Sequence, residues 1–141
     1  MPTIERLANL TPVDRAALLA PLDEFSRARG FPYEPRELVL ALRDDAGNVS
    51  GGLIGQLHWG WLRIEILAVP ACLRGQGLGR QLVARAEALA LAAGCPQAWV
   101  DTFTFQSPGF YLRLGYQVFA ELPDYPPGQA RIFLRKKLTF G

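Results

Sequence analysis

The stretch Leu73-Arg74-Gly75-Gln76-Gly77-Leu78-Gly79-Arg80 sets glycine at every second position between two arginines, and an alanine-rich run follows at once. Glycine disfavours a helix interior by about 1 kcal/mol relative to alanine, so three of them where a helix begins call for a compensating use. Anion binding is such a use. The first amides of a helix have no internal partner, and the helix dipole adds positive potential there. A phosphate is the usual occupant. Glycine lets the backbone come close to it and take positive φ, while Arg74 and Arg80 add charge. Two common phosphate loops are excluded by residue order. A Walker loop ends in Gly-Lys-Ser/Thr, whereas Gly79 is followed by Arg80-Gln81. The dinucleotide fingerprint G-x-G-x-x-G needs glycine where Arg80 stands. A tight strand-to-helix turn that holds no ligand is the alternative reading of the glycines alone.

The loop lies between a strand pattern and a helix pattern. Leu62, Ile64, Ile66 and Ala68 alternate with Arg63, Glu65, Leu67 and Val69, which assigns the two sets to opposite faces of a strand that Pro70 ends. Leu78, Leu82, Val83, Ala86, Leu89, Ala90 and Ala93 recur at helical spacing, and Gly94 with Pro96 stops them. Upstream, residues 3–7 predict a short strand. Thr11, Pro12 and Asp14 predict a capped helix start, and helical sequence, interrupted by Pro21, runs to about Arg29. A proline-rich loop at 31–35 leads to strands at 37–43 and 49–59 around the turn at 44–48. Downstream come a strand at 98–105, a short helix opened by Ser107-Pro108 and closed by Gly115, and strands at 116–122 and 131–138 around the loop at 123–128. The order β-α-α-β-β-β-α-β-α-β-β predicts an α/β domain with a mixed sheet, and residues 1–141 read as one domain.

Composition narrows the function. Half of the 141 residues are apolar and the net charge is only +2, which supports a real core and argues against a nucleic-acid binder with a concentrated basic face. Arg131, Arg135, Lys136 and Lys137 read as a solvated strand edge. Cys72 and Cys95 are too few for a disulfide framework and are expected to be reduced and structural. The single His58 and the absence of a Cys-x-x-Cys pair predict no metal site. No signal peptide is expected at the start and no run of about 18 apolar residues would cross a membrane. A cytoplasmic protein that binds no membrane follows as the expectation.

Two motifs then carry a family resemblance. V-P-x-x-x-R-G-Q-G-L-G, from Val69 to Gly79, resembles the acetyl-CoA motif of the GCN5-related N-acetyltransferase (GNAT) superfamily, an R/Q-x-x-G-x-G/A loop matched here by Arg74, Gly77 and Gly79. F-Y-L-R-L-G-Y, from Phe110 to Tyr116, resembles that family's tyrosine-bearing helix-to-strand segment. The closing D-Y-P-P-G followed by R-I-F-L-R-K-K-L is similar to a bacterial subgroup whose members mostly lack an assigned substrate. The resemblance spans nearly the whole chain. It implies a mixed, mostly antiparallel central sheet, splayed between two central strands and flanked by helices. It also implies a single N-acetyltransferase domain over 1–141, acetyl-CoA as cosubstrate, and an amine acceptor that is a small molecule or a protein. Relatives are often dimers, so a homodimer is one assembly it implies. A coenzyme A sensor without turnover is the alternative function.

Acetyl transfer assigns roles to residues. The amides from Gln76 to Arg80, including Gly77, Leu78 and Gly79, with Arg74 and Gly75 before them, would hold the pyrophosphate. By resemblance, Leu67, Ala68 and Val69 offer main chain to the pantetheine arm, and Gln106 stands near the place where many relatives have an asparagine. The family places a backbone amide of the splayed strand at the oxyanion, and the resemblance implies Leu67 for that role. Tyr111 matches the family's general acid and also lies at the cofactor. An alkylammonium with a pKa of about 10 is protonated at neutral pH, so a base is needed. Glu65 is favoured because the strand pattern puts it on the Leu67 face, where burial by Trp59 or Trp61 would make it more basic. Asp101 on the neighbouring strand is the other candidate. His58 reads as a packed strand histidine. The acceptor pocket is expected from the 31–35 loop, the strand around Trp59 to Glu65, and the 123–128 loop.

Overall fold

A computed structural model of the chain describes residues 1–138. They fall into two compact units, Met1–Glu34 and residue 35 onward. The first unit is built on α1 (Pro12–Ala28). Its start is capped as expected, with Thr11 Oγ1 accepting the Asp14 amide at 3.1 Å and proline in the first turn. The expected break at Pro21 does not occur, and α1 is one helix of 17 residues with Pro21 inside it. Proline removes one internal hydrogen bond, but the alanines and leucines around it are strong helix formers. Residues 3–7, expected as a strand, join no ladder. A strand exists through hydrogen bonds to a neighbour, and local alternation does not guarantee one.

The second unit carries β1 (Arg36–Arg43), β2 (Val49–His58), β3 (Trp61–Ala68), α2 (Leu78–Ala92), β4 (Gln97–Phe103), α3 (Pro108–Arg113), β5 (Gln117–Pro123) and β6 (Ala130–Lys137). The six strands form one sheet in the order β1-β2-β3-β4-β6-β5. Only β3 and β4 run parallel; the other neighbours are antiparallel. Trp59 and Gly60, with φ of 48° and 83°, make the two-residue turn that joins β2 to β3. One sheet face is apolar through Leu53, Leu57, Leu62, Ile64, Ala98, Val100 and Leu134, all buried. Helix α2 buries Leu82, Val83, Ala86 and Ala90 in the same core. Leu89, expected among them, is 44% exposed.

The sheet departs from regular alternation in β3, at the place that matters for function. Gly55 of β2 opposes Ile64, but Ile54 opposes Ile66, which leaves Glu65 as an extra residue without a partner. This is a β-bulge. Beyond it the alternation is shifted by one, so Leu67 lies opposite Leu53 and joins the core-facing set with Leu62 and Ile64. Ile66 is 51% exposed instead of lying on the Leu62 face. The expectation that Glu65 and Leu67 share a face opposite Ile64 is therefore corrected.

The basic residues near the end are also placed differently from expectation. Their strand β6 lies between β4 and β5 and is not an edge. Arg131 and Lys136 are half-buried in ion pairs, whereas Arg135 and Lys137 are exposed. Cys95 is buried; Cys72 is free but exposed, so it is not part of the core.

Candidate active site

The cleft exists because β3 and β4 separate. They pair only through Trp61–Ile64 and Gln97–Val100. After that β4 continues beside β6 to Phe103, and β3 continues beside β2 to Ala68. Main-chain groups on the inner edges past Ile64 and Val100 are released from strand pairing. The resulting open cleft has a volume of about 1290 Å³. Glu65, Leu67, Ala68 and Val69 form its β3 wall, Asp101 and Thr102 its β4 wall, and Phe110, Tyr111 and Arg113 of α3 close one side.

The glycine loop supplies the remaining side. Gly77 is the N-cap residue of α2, with φ of 77° and no side-chain cap. The first bond into the helix runs from the Gln81 amide to the Gly77 carbonyl at 3.0 Å, so the amides of Leu78, Gly79 and Arg80 precede the helical ladder. A Cβ on Gly77 would sit 3.7 Å from Arg80 Nη2 and 3.9 Å from Gln81 Nε2, so contact does not demand glycine there; the backbone angle does. Gly79 serves another purpose. A Cβ there would press to 3.3 Å from Phe110 Cζ, so the bare α-carbon lets the start of α2 lie against α3. Arg74 donates from Nε to the Val69 carbonyl at 3.1 Å, which ties the loop to the end of β3. Arg74, Gly75 and Arg80 also border the cleft. Gln76 is exposed and lies outside its lining, the one member of the expected loop set that is not brought to it.

Tyr111 is 7% exposed and borders the cleft from α3. Its ring meets Phe110 and Tyr116 edge-on, at 5.0 and 5.7 Å between centroids. Burial, and then the nearby Asp101 charge, raise its phenol from the ordinary 10 to about 12. It stays protonated at any physiological pH. Behind it, Tyr116 donates to Glu87 Oε2 at 2.7 Å, and Lys136 Nζ reaches Glu87 Oε1 at 2.9 Å. Burial, followed by the Glu87 charge and hydrogen bond, raises the Tyr116 phenol far above its ordinary range.

The two candidate bases have different surroundings. Glu65 is exposed at the bulge and has no ion pair among the described residues. Trp59 and Trp61 do not bury it, because they lie at the β2–β3 turn, outside the cleft lining. Asp101 is held by Arg131, whose Nε and Nη2 both donate to Oδ1, at 3.0 and 2.8 Å. Gln106 turns back on β4, where its Oε1 accepts from Thr102 Oγ1 at 3.2 Å and lies 3.4 Å from the Phe103 amide. His58 stacks on Trp59 at 3.9 Å, away from the cleft.

Comparison with known proteins identifies the family and the fold. The model of the acetyltransferase (GNAT) family matches residues 6–116. The chain belongs to the GNAT acetyltransferase family. It is 48% identical over 95 residues to a blasticidin-S acetyltransferase of Streptomyces morookaense, which covers 67% of this chain and 70% of that one. It is 35% identical over 121 residues to an acetyltransferase of Agrobacterium fabrum, 86% of this chain and 88% of the relative. The crystal structure of an acetyltransferase from Agrobacterium tumefaciens superposes with a TM-score of 0.88 at 31% identity, over 97% of this chain and 99% of that one. The expected α/β GNAT fold, with its mostly antiparallel sheet opened between two central strands, is the fold found.

Several residues of this GNAT site escaped the sequence reading. Arg131 meets Asp101 only through the β4–β6 register, in which Asp101 faces Phe133 and Phe103 faces Arg131. No local spacing announces that pairing. Phe110 and Arg113 lie in the same F-Y-L-R segment as Tyr111 and are three apart, which puts those two on one helix face; that segment is the signal that could have found them. Phe105 gave a signal too, as an aromatic residue just past a strand end beside Gln106.

Proposed function

We propose that this acetyltransferase moves an acetyl group from acetyl-CoA to a primary amine by direct attack on the thioester, with residues 1–141 working as one N-acetyltransferase domain. The observation that carries the reading is a single cleft in which the uncapped start of α2, the parted strands β3 and β4, and the Tyr111 phenol all meet. The family match supports the domain assignment, since it runs from residue 6 to residue 116. The relative named for blasticidin S supports a small-molecule acceptor.

The residues present fit the coenzyme. Glycine at positive φ, three amides ahead of the helical ladder and the cations Arg74 and Arg80 suit a pyrophosphate. The inner edge of β3 at Leu67, Ala68 and Val69 would take the pantetheine amides, and the Gln106 side-chain NH₂ would add a donor from the other wall. Bound acetyl-CoA supplies an activated acyl group and a thiolate leaving group. Leu67 would donate its amide to the carbonyl oxygen as negative charge grows on it. Glu65, exposed to solvent and close in sequence to Leu67, would take a proton from the acceptor's ammonium, which frees the neutral amine to attack the thioester carbonyl. Asp101, fixed by Arg131, would attract that ammonium. Tyr111, kept protonated by burial, would donate to the departing sulfur. The test is to titrate coenzyme A calorimetrically and to follow thiol release from acetyl-CoA across a set of primary amines. Binding together with amine-dependent thiol release supports the reading, and binding without any amine-dependent release contradicts it.

A further inference from the structure

A cluster of aromatic rings lies beside Asp101, and the mechanism above makes no use of it. Phe103 stacks on Phe105 with centroids 5.5 Å apart and planes 23° apart, and also meets Tyr125 at 5.6 Å, tilted by 37°. Phe105 borders the cleft and is 59% exposed. Tyr125 is 44% exposed. Large aromatic residues left this open in a row, next to a cleft, mark a binding surface more often than lone exposed side chains do.

The charge beside these rings is organised. The Arg131 guanidinium lies over the rings of Phe103, Tyr125 and Phe133, at 5.7, 5.2 and 5.2 Å, and its Nη1 donates to the Tyr125 hydroxyl at 3.2 Å. Both of its contacts to Asp101 fall on Oδ1. Oδ2 has no hydrogen-bond partner among the described residues and is not sealed from solvent. The same arginine therefore holds the aromatic row and fixes a carboxylate that keeps one open oxygen. That carboxylate borders the same cleft as Phe105 and Tyr111.

We propose that Asp101 and the Phe105–Phe103–Tyr125 row form the acceptor subsite, and that it selects a primary ammonium carried on a flat ring. Oδ2 of Asp101 attracts the ammonium, and the ring stacks on Phe105. Arg131 is a positioning residue, acting through Asp101 and Tyr125. This inference rests on the acetyltransfer reading above and adds the shape of the acceptor to it.

The test compares phenethylamine with hexylamine, two primary amines of similar length of which only the first carries a ring. Stacking on an aromatic side chain is worth roughly tenfold or more in binding, so kcat/KM is expected to favour phenethylamine by about that factor. Phe105 is exposed, so Phe105→Ala folds, which a melting curve checks; its ratio falls toward one. Calorimetry of phenethylamine with the protein saturated in coenzyme A gives the second readout, and Phe105→Ala weakens that binding by a similar factor. Equal kcat/KM for the two amines in the native protein, or an unchanged ratio in Phe105→Ala, overturns the subsite and leaves acetyl transfer standing. Failure of both amines to accept acetyl, with no binding of coenzyme A, overturns the acetyltransfer reading and this inference with it.

Discussion

Replacing Gly77 by valine separates what the glycine loop does for the fold from the coenzyme binding proposed for it. The backbone at Gly77 has φ of 77°. A non-glycine residue pays about 1–2 kcal/mol in the left-handed region, and a β-branched one belongs there least. Steric contact adds little, since the nearest atoms to a new Cβ are at 3.7 and 3.9 Å. The expected cost is thus a fall of roughly 3–8 °C in melting temperature for a chain of this size. Coenzyme affinity should fall much further. A pyrophosphate held on the amides of Leu78, Gly79 and Arg80 would have to share that space with a side chain at Gly77, and hydrogen bonds to a charged group are worth about 1.5–3 kcal/mol each. Losing two of the weaker kind removes about 3 kcal/mol, or roughly 150-fold in Kd. Gly94→Val is the control. It sits just past the other end of α2 with φ of 87° and nothing within 4 Å of a new Cβ, so it should lose similar stability and keep its affinity. Calorimetric titration of both folded variants with coenzyme A decides the matter. Unchanged affinity in Gly77→Val refutes the anion cradle.

Tyr111→Phe should lower single-turnover acetyl transfer by roughly 100-fold, the usual scale of general acid–base catalysis, with acetyl-CoA affinity little changed; equal rates refute the role. The same residue has a stability signature. Its phenol titrates at about 12 in the folded chain and near 10 when unfolded, so the folded state holds the proton longer. The contribution, on the order of 2–3 kcal/mol, is whole below pH 10 and lost as pH rises to about 12. Denaturation of the native chain across that range should show a larger loss than Tyr111→Phe, which keeps only the part due to the buried Tyr116 phenol. Glu87→Ala removes the acceptor of the buried Tyr116 hydroxyl and the partner of Lys136, and should cost roughly 2–3 kcal/mol. Adding Tyr116→Phe should recover part of that loss in a double-mutant cycle. Glu65→Gln should lose most rate at low pH and recover as free amine accumulates, whereas Asp101→Asn should show a weaker pH dependence; reversed profiles exchange the two roles.

The parts of this molecule readable from sequence are those fixed by local rules. The helix α2, with its glycine start and its Gly94-Pro96 stop, follows from periodicity and φ preferences, and so does the Thr11 cap of α1. Parted strands were legible only through the family resemblance, because pairing between β3 and β4 is decided far along the chain. The bulge at Glu65 was not legible. Leu62 to Val69 alternates well enough to suit an unbroken strand, and only the β2 register exposes the extra residue. Arg131 was misread for a similar reason. Its run of cations resembles a solvated edge, yet β6 lies inside the sheet, where the residue finds Asp101. Gly79 was read as room for an anion, but its own contact is with Phe110, one helix away.

One cleft is proposed to join an acetyl donor to a primary amine. The measurement closest to it is a mass-spectrometric count of acetylated amine against free coenzyme A thiol, made in the same reaction with phenethylamine as acceptor. One acetylated amine is expected for each thiol released, with both products dropping together in Tyr111→Phe. Thiol released without acetylated amine, or equal yields from the native protein and Tyr111→Phe at early times, would contradict it.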